Sequence, residues 1–309
     1  MRAPSSTLAL TLTRRLRAAP PPALLLAPPL PRRHASSAPR PPPLVTFGLA
    51  ASDRSVGVLT LNNPAALNAL SLAVADDLDA AVAAAAAARV RAVVVTGAGR
   101  AFSAGGDMAF LRARAAAGAA GEAAANAAAM RGFYARFLAP FRSMRVPTVG
   151  AINGAAVGAG LCMSLALDMR VAARSAKMGV AFVNLGLHPG MGCTHFLPAL
   201  VGPQVAARLL LTAELVSGEE AARCGLVLEA VDDAELLPRA VALAGRAAAH
   251  GPLAVRETVR TLRRAADEGL EQALQREAEA QAQCYATHDF AEGLDAVMAK
   301  RAPQWRGDE

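Results

Sequence analysis

The stretch PTVGAINGAAVGAGLCMSLALDMRVAARSAKMGVAFVNLGLHPGMG, residues 147–192, decides how the chain is to be read. A β-branched run opens it, and a glycine-rich turn follows. An uncharged helical pattern and a second glycine-punctuated loop complete it. Upstream, RAFSAGGDM at 100–108 has a related construction. Each loop offers bare backbone N–H groups where a strand-like run hands over to a helical pattern. Two such donors aimed at one carbonyl oxygen form an oxyanion hole, which stabilises negative charge without a catalytic side chain. The pattern points to chemistry on a thioester or ester carbonyl. The competing reading is that these glycines only permit tight turns with positive φ.

Outward from this stretch, residues 56–61, 92–96, 146–152, 169–173 and 227–231 read as strands. The run at 92–96 is continuously apolar, as in a strand buried on both faces. Helical patterns cover 71–89, with Ser71 as N-cap, and 108–143, with a break at Gly118 and Gly121. Further helices are expected at 159–167, 198–211, 217–224, 233–249, 252–268, 270–287 and 289–300. Strands alternating with helices argue for an α/β fold. Residues 148–167 form an uncharged 20-residue run, long enough to span a bilayer. Its four glycines and Asn153 favour a core strand followed by a buried helix, with no membrane span.

The net charge of +7 misleads, because it is carried by one end of the chain. Residues 1–44 hold seven arginines, no lysine and no acidic residue, which leaves 25 basic against 25 acidic residues in the remainder. A neutral body implies no nucleic-acid partner. The same segment holds 11 of the 20 prolines and an Arg-bearing apolar start, TLALTLTRRLR at 7–17. That is the composition of an organelle transit peptide, mitochondrial in first place and chloroplast in second. It cannot bury enough surface to fold alone, and is expected to be disordered. RRHASS at 32–37 is the candidate processing region. Four cysteines, at 162, 193, 224 and 284, lack C-x-x-C spacing, so neither a metal site nor a disulfide framework is expected.

Four motifs in order resemble the crotonase family, the enoyl-CoA hydratase/isomerase superfamily. They are VGVLTLNNPAALNALS at 56–71, RAVVVTGAGRAFSAGGDM at 91–108, PTVGAINGAAVGAGL at 147–161 and EGLDAVMAKRAPQW at 292–305. The resemblance implies a crotonase-type spiral of repeated β-β-α units over 45–250. It also implies a C-terminal helical trimerisation region over 251–309 and a homotrimer or hexamer. It implies an acyl-CoA enzyme of fatty-acid or branched-chain acyl-CoA breakdown with no prosthetic group, coenzyme A entering as part of the substrate.

Carried over by position, the oxyanion amides are those of Gly106 and Ala159. The family's two catalytic glutamates fall on Cys162 and Phe182, neither of which is acidic. A positioned general acid or base contributes about 10²–10⁴-fold, so efficient hydration by two carboxylates is not expected. His188, in GLHPGMG, is the candidate acid or base, against a reading in which it only bonds backbone at a turn. Cys162 is a nucleophile only if its thiol is activated, and otherwise a small core filler. Asp168 is expected to pair structurally, Asp107 to hold its loop, and His195 to pack on a helix. The coenzyme contacts implied are Ala66, Leu67, Ala104, Asp107 and Met108, with Lys300 and Arg301 for phosphates. Hydratase is the leading reaction, with isomerase and thioester hydrolase as rivals. A crotonase-fold protein that binds acyl-CoA without turning it over is the alternative from another class.

Overall fold

Two parallel-rich sheets share the strands between them, one turn of chain after another. The computed structural model describes residues 42–306, apart from residue 268 and the side chain of residue 265. Nearly all of the segment read as a transit peptide therefore lies outside the described residues. Strands β1 (Val45–Leu49) and β2 (Val56–Leu61) form an antiparallel pair. Helix α1 (Leu72–Ala87) then begins at Ser71, whose hydroxyl accepts the Val74 N–H at 3.3 Å. It buries Val74, Ala75, Leu78, Ala81 and Ala85, the spacing of one helical face.

From here the chain repeats a pattern. Strand β3 (Ala92–Gly97) is followed by the short β4 (Ala101–Ser103) and helices α2 (Met108–Ala119) and α3 (Ala123–Ser143). Strand β5 (Thr148–Ile152) is followed by β6 (Ala155–Val157) and α4 (Ala159–Leu165). Strand β7 (Met169–Ala173) is followed by β8 (Lys177–Gly179), a 3-10 turn at Ala181–Leu185 and α5 (Cys193–Thr212). Then come β9 (Val216–Ser217), α6 (Gly218–Arg223), β10 (Ala230–Val231) and α7 (Leu236–Ala248). Helices α8 (Pro252–Asp267), α9 (Leu270–Tyr285) and α10 (His288–Ala299) close the chain.

In each repeat the first strand joins a six-stranded sheet, in the order β1-β2-β3-β5-β7-β10. The second strand joins a four-stranded sheet, in the order β4-β6-β8-β9. Pairing is parallel from β2 to β10 and from β4 to β8. Ala92 to Val95 are completely buried, as a central parallel strand covered on both faces requires. The uncharged run 148–167 is the core strand β5, the short β6 and the buried helix α4. No helix among the described residues is long and apolar enough to cross a membrane.

Two expectations about elements are corrected. Helix α5 starts at Cys193, five residues before the expected 198, and is kinked at Gly202 (φ 75°) before Pro203. Its early start has a remote cause: the Glu277 carboxylate, from α9, accepts the Gly192 N–H at 2.6 Å and the Thr194 N–H at 3.0 Å. The strand expected at 227–231 shrinks to Ala230–Val231, because the Leu226 and Val227 amides turn back onto the Ala221 carbonyl. The break at 118–121 is present, with Gly118 packed so closely on the Tyr285 main chain that a side chain would collide. Residues after 250 belong to the same compact body as the sheets, with α9 packed along α3, α2 and α5 and α10 against the 181–185 turn.

Candidate active site

Strands β4, β6 and β8 run parallel and side by side, so their carboxyl ends deliver three chain segments to one place. That is where parallel α/β sheets build ligand sites. Residues 104–106 and 108 after β4, 157–159 after β6, and Ala181, Phe182, Asn184 and Leu185 after β8 line a single cavity of about 260 Å³. The opposite wall comes from α3 and α9, through Met130, Phe133, Tyr134, Gln281 and Tyr285, and Val297 of α10 also lines it.

The Gly106 amide is set by a parallel bridge with Leu70. The Leu70 N–H donates to the Gly105 carbonyl (2.7 Å), and the Asp107 N–H donates to the Leu70 carbonyl (3.0 Å). In a parallel pair such bonds leave the residue between them, here Gly106, with its own N–H on the other edge. Ala159 is the first residue of α4, so its N–H has no acceptor within the helix. The preceding amide, of Gly158, is used up on the Gly179 carbonyl (2.9 Å). Gly106 and Ala159 both line the cavity. Their loops touch: a methyl on Gly105 would stand 2.8 Å from the Val157 oxygen and 3.6 Å from the Ala159 nitrogen. With φ at 104° as well, that position demands glycine.

A buried asparagine holds the first loop in place. The Asn68 side chain accepts from the Asn63 N–H and donates to the Ala98 and Ala101 carbonyls, while its main-chain oxygen accepts from the Ser103 hydroxyl. The Ala104 N–H donates to the Leu67 carbonyl (2.9 Å), so Leu67 acts through its main chain. Ala66 is exposed on the adjoining turn. Of the residues implied as coenzyme contacts, Ala104 and Met108 line the cavity and Ala66, Leu67 and Lys300 do not. Asp107 caps α2, accepting from the Ala109 and Phe110 amides at 3.0 and 3.1 Å. Lys300 is exposed one turn beyond Val297, and Arg301 is paired with Glu292.

The two positions onto which the resemblance carries the family's glutamates fare differently. Phe182 lines the cavity, whereas Cys162 is completely buried in α4 and does not. The neighbouring Cys193 thiol has its pKa pushed well up, first by burial and then by its hydrogen bond with Cys162. His188 does not line the cavity either, although Leu187 does. Its carbonyl accepts from the Gln281 amide at 2.8 Å, and its Nδ1 is buried without a partner among the described residues. Gly190, two residues on, has no room for a Cβ beside the Tyr134 hydroxyl and the Gln281 amide, which fixes this turn against α3 and α9. His195 sits in the first turn of α5 and bonds the Ala266 carbonyl through Nε2 (2.7 Å). Asp168 forms a buried pair with Arg263 and accepts from Thr148.

The sequence reading missed Tyr134, Glu277, Gln281 and Tyr285. Burial pushes the Tyr134 hydroxyl pKa well up, with the Glu277 charge adding to it. Burial likewise raises the Glu277 pKa, against the opposing hydrogen bonds from Thr194 and Gly192. A signal was present: Leu270, Ala273, Glu277, Gln281 and Tyr285 recur at helical spacing on the buried face of α9. Polar residues inside an apolar stripe mark a bonded interior network.

Comparison with known proteins follows the same lines. Residues 51–308 match the family described as Enoyl-CoA hydratase/isomerase. The chain is 37% identical over 256 residues to the crotonyl-CoA hydratase of Syntrophomonas wolfei, covering 81% of this chain and 94% of that one. It is 32% identical over 251 residues to the short-chain-enoyl-CoA hydratase of Clostridium acetobutylicum, covering 80% and 92%. Among solved structures, an enoyl-CoA hydratase from Mycobacterium avium subsp. paratuberculosis superposes with a TM-score of 0.72 at 26% identity, covering 86% of this chain and 99% of that one. The repeated β-β-α architecture expected from the motifs is thus the observed one, and the chain belongs to the enoyl-CoA hydratase/isomerase, or crotonase, family.

Proposed function

We propose that this enzyme binds an uncharged acyl-CoA thioester and holds its carbonyl oxygen between the Gly106 and Ala159 amides. The observation that carries this reading is that Gly106 and Ala159, whose amides have no partner in their own bridge and helix, both line one cavity. Removing an α-proton from the acyl group turns the thioester into an enolate whose charge rests on that oxygen. One donor of this kind contributes roughly 3–4 kcal/mol to such a transition state. The cavity wall carries no Asp, Glu, His, Lys or Arg among the described residues. Proton exchange at the α-carbon therefore falls to water in our reading, with His188 set aside from direct contact. Hydration of an enoyl thioester remains the leading net reaction, and it runs slowly.

The test is NMR of the full chain with crotonyl-CoA and butyryl-CoA in heavy water. Deuterium is expected to enter the α-position of butyryl-CoA, and crotonyl-CoA hydration is expected about 10²-fold or more below that of a two-carboxylate hydratase. Hydration at a two-carboxylate rate, or no exchange and no binding, would overturn the reading. Binding without exchange or product favours the second reading, an acyl-CoA carrier, which Phe182 on the wall in place of a charge supports.

The composition of residues 1–44 supports an organellar destination, mitochondrial before chloroplast; the bacterial relatives named above lend it no weight. Fusing that segment to a fluorescent reporter tests it. A homotrimer or hexamer is part of the proposal, supported by exposed Leu211, Leu253 and Leu262, and light scattering of the purified chain reads it directly.

A further inference from the structure

The charges of the body balance in number but not in place. A cavity of about 430 Å³ lies between the end of α3 and helix α8. Six arginines line it, Arg142, Arg145, Arg256, Arg260, Arg263 and Arg264, against two acids, Glu257 and Asp267. It shares Arg145 and Arg256 with an adjoining cavity of about 330 Å³. That second cavity adds Arg89, Arg91 and His250, and no acidic residue is among its described lining. Neither shares a lining residue with the thioester cavity. Arg145 stands just before β5 and Ala159 beyond its other end, so the basic cavities occupy the amino end of that strand.

The fold uses only part of this charge. Arg263 is buried against Asp168 and the Phe141 carbonyl, and Arg142 reaches Asp267 and the Arg263 carbonyl. Glu257 is divided between Arg260 at 2.6 Å and Arg256 at 3.9 Å. The exposed side chains of Arg89, Arg145 and Arg264 bond nothing among the described residues. Like charges gathered around a concavity repel one another and raise the local potential for an anion. A guanidinium meets a phosphate through two parallel N–H···O bonds, so several such forks around one cavity suit a chain of linked phosphates. The adjoining cavity adds an apolar floor of Val90, Val146, Pro147, Pro252 and Val255. A flat heterocycle can lie on such a floor and stack on a guanidinium plane.

We infer that the two cavities form one site for a nucleoside polyphosphate. The linked phosphates lie among Arg145, Arg256, Arg260 and Arg264, and the base lies over the apolar floor. The inference is independent of the thioester reading and goes beyond it.

The experiment is calorimetric titration of the full chain with ATP, AMP and pyrophosphate, without magnesium and at about 0.15 M salt. ATP is expected to bind about ten-fold or more tightly than AMP, which lacks linked phosphates, and than pyrophosphate, which lacks a base. Arg145→Ala and Arg264→Ala break no side-chain bond among the described residues, and each is expected to weaken ATP about ten-fold. Arg54→Ala, at an exposed arginine outside both cavities, is expected to leave ATP affinity unchanged. Thermal melts and light scattering follow folding and association of every variant. ATP that does not bind, that binds no better than AMP, or that binds all three variants alike overturns the inference. So does an RNA oligonucleotide that displaces ATP at lower concentration, which makes this a nucleic-acid surface. Altered association in Arg145→Ala or Arg264→Ala with ATP affinity intact makes it a subunit contact and equally overturns the inference. Crotonyl-CoA binding, measured on the same samples, decides the thioester reading separately.

Discussion

Cys162 lies one turn into α4, is completely buried, and meets the Cys193 thiol rather than the cavity. Raised by burial, the Cys193 pKa keeps that neighbour a neutral thiol at physiological pH. Nothing in this arrangement makes a thiolate. Cys162→Ala is expected to lower stability by about 1 kcal/mol, the cost of a small buried group, and to leave thioester binding and exchange unchanged. Urea unfolding and the NMR exchange assay read the two effects separately, and a large loss of exchange would restore Cys162 as a participant. At this scale the sequence was informative about which loops line the cavity. Glycine spacing marks the Gly106 and Ala159 loops because backbone donors need tight turns. Tyr134 and Gln281 were opaque, because they meet only after α3 and α9 pack, and the sequence did not show that His188 stands outside the cavity lining, its loop being turned by those same residues.

The C-terminal helix α10 is held by a carboxylate with a low pKa. Arg301 hydrogen-bonds the Glu292 carboxylate and the Gln304 N–H adds to it, holding its pKa down at about 2. A carboxylate depressed in the folded chain contributes above its ordinary value of 4.5, and that contribution is lost as pH falls through about 2. The Glu292 side chain is mostly covered, but it ties down only the segment after α10, so the effect is local: residues 301–304 are expected to stay docked on α10 down to about pH 2 and then release. Trp305, the single tryptophan, reports this by fluorescence, and Glu292→Gln is expected to show the released signal already at neutral pH. Element lengths explain what was legible here. Strands β2, β3, β5 and β7 and the long helices announce themselves by pattern, whereas β4, β6, β8 and β9, of two or three residues, carry no period to read, and β1 was not read although it is five residues long. The start of α5 was hidden because its cap, Glu277, comes from a different helix.

Across the whole molecule, the cavity occupies the carboxyl ends of the short strands, and a buried ion pair pins the far end of the sheet. Asp168 accepts from the Thr148 N–H and hydroxyl at 2.8 Å each and from Arg263, which also bonds the Phe141 and Met144 carbonyls. Asp168→Ala strands the Arg263 charge inside the protein, so a loss of about 3–5 kcal/mol is expected on urea unfolding. The folded fraction is expected to bind thioester as before, since this pair lies at the opposite end of β5 from Ala159. The central claim is that the amides of residues 106 and 159 polarise a thioester carbonyl. Ala159 occupies the first position of α4, where proline is tolerated and only an unpartnered N–H is removed. The measurement is the isotope-edited infrared spectrum of the carbonyl of a bound enoyl-CoA. Its stretching frequency is expected to fall on binding and to return toward the free value in Ala159→Pro, with about a 10²–10³-fold loss of α-proton exchange; a carbonyl that binds without shifting would contradict the account.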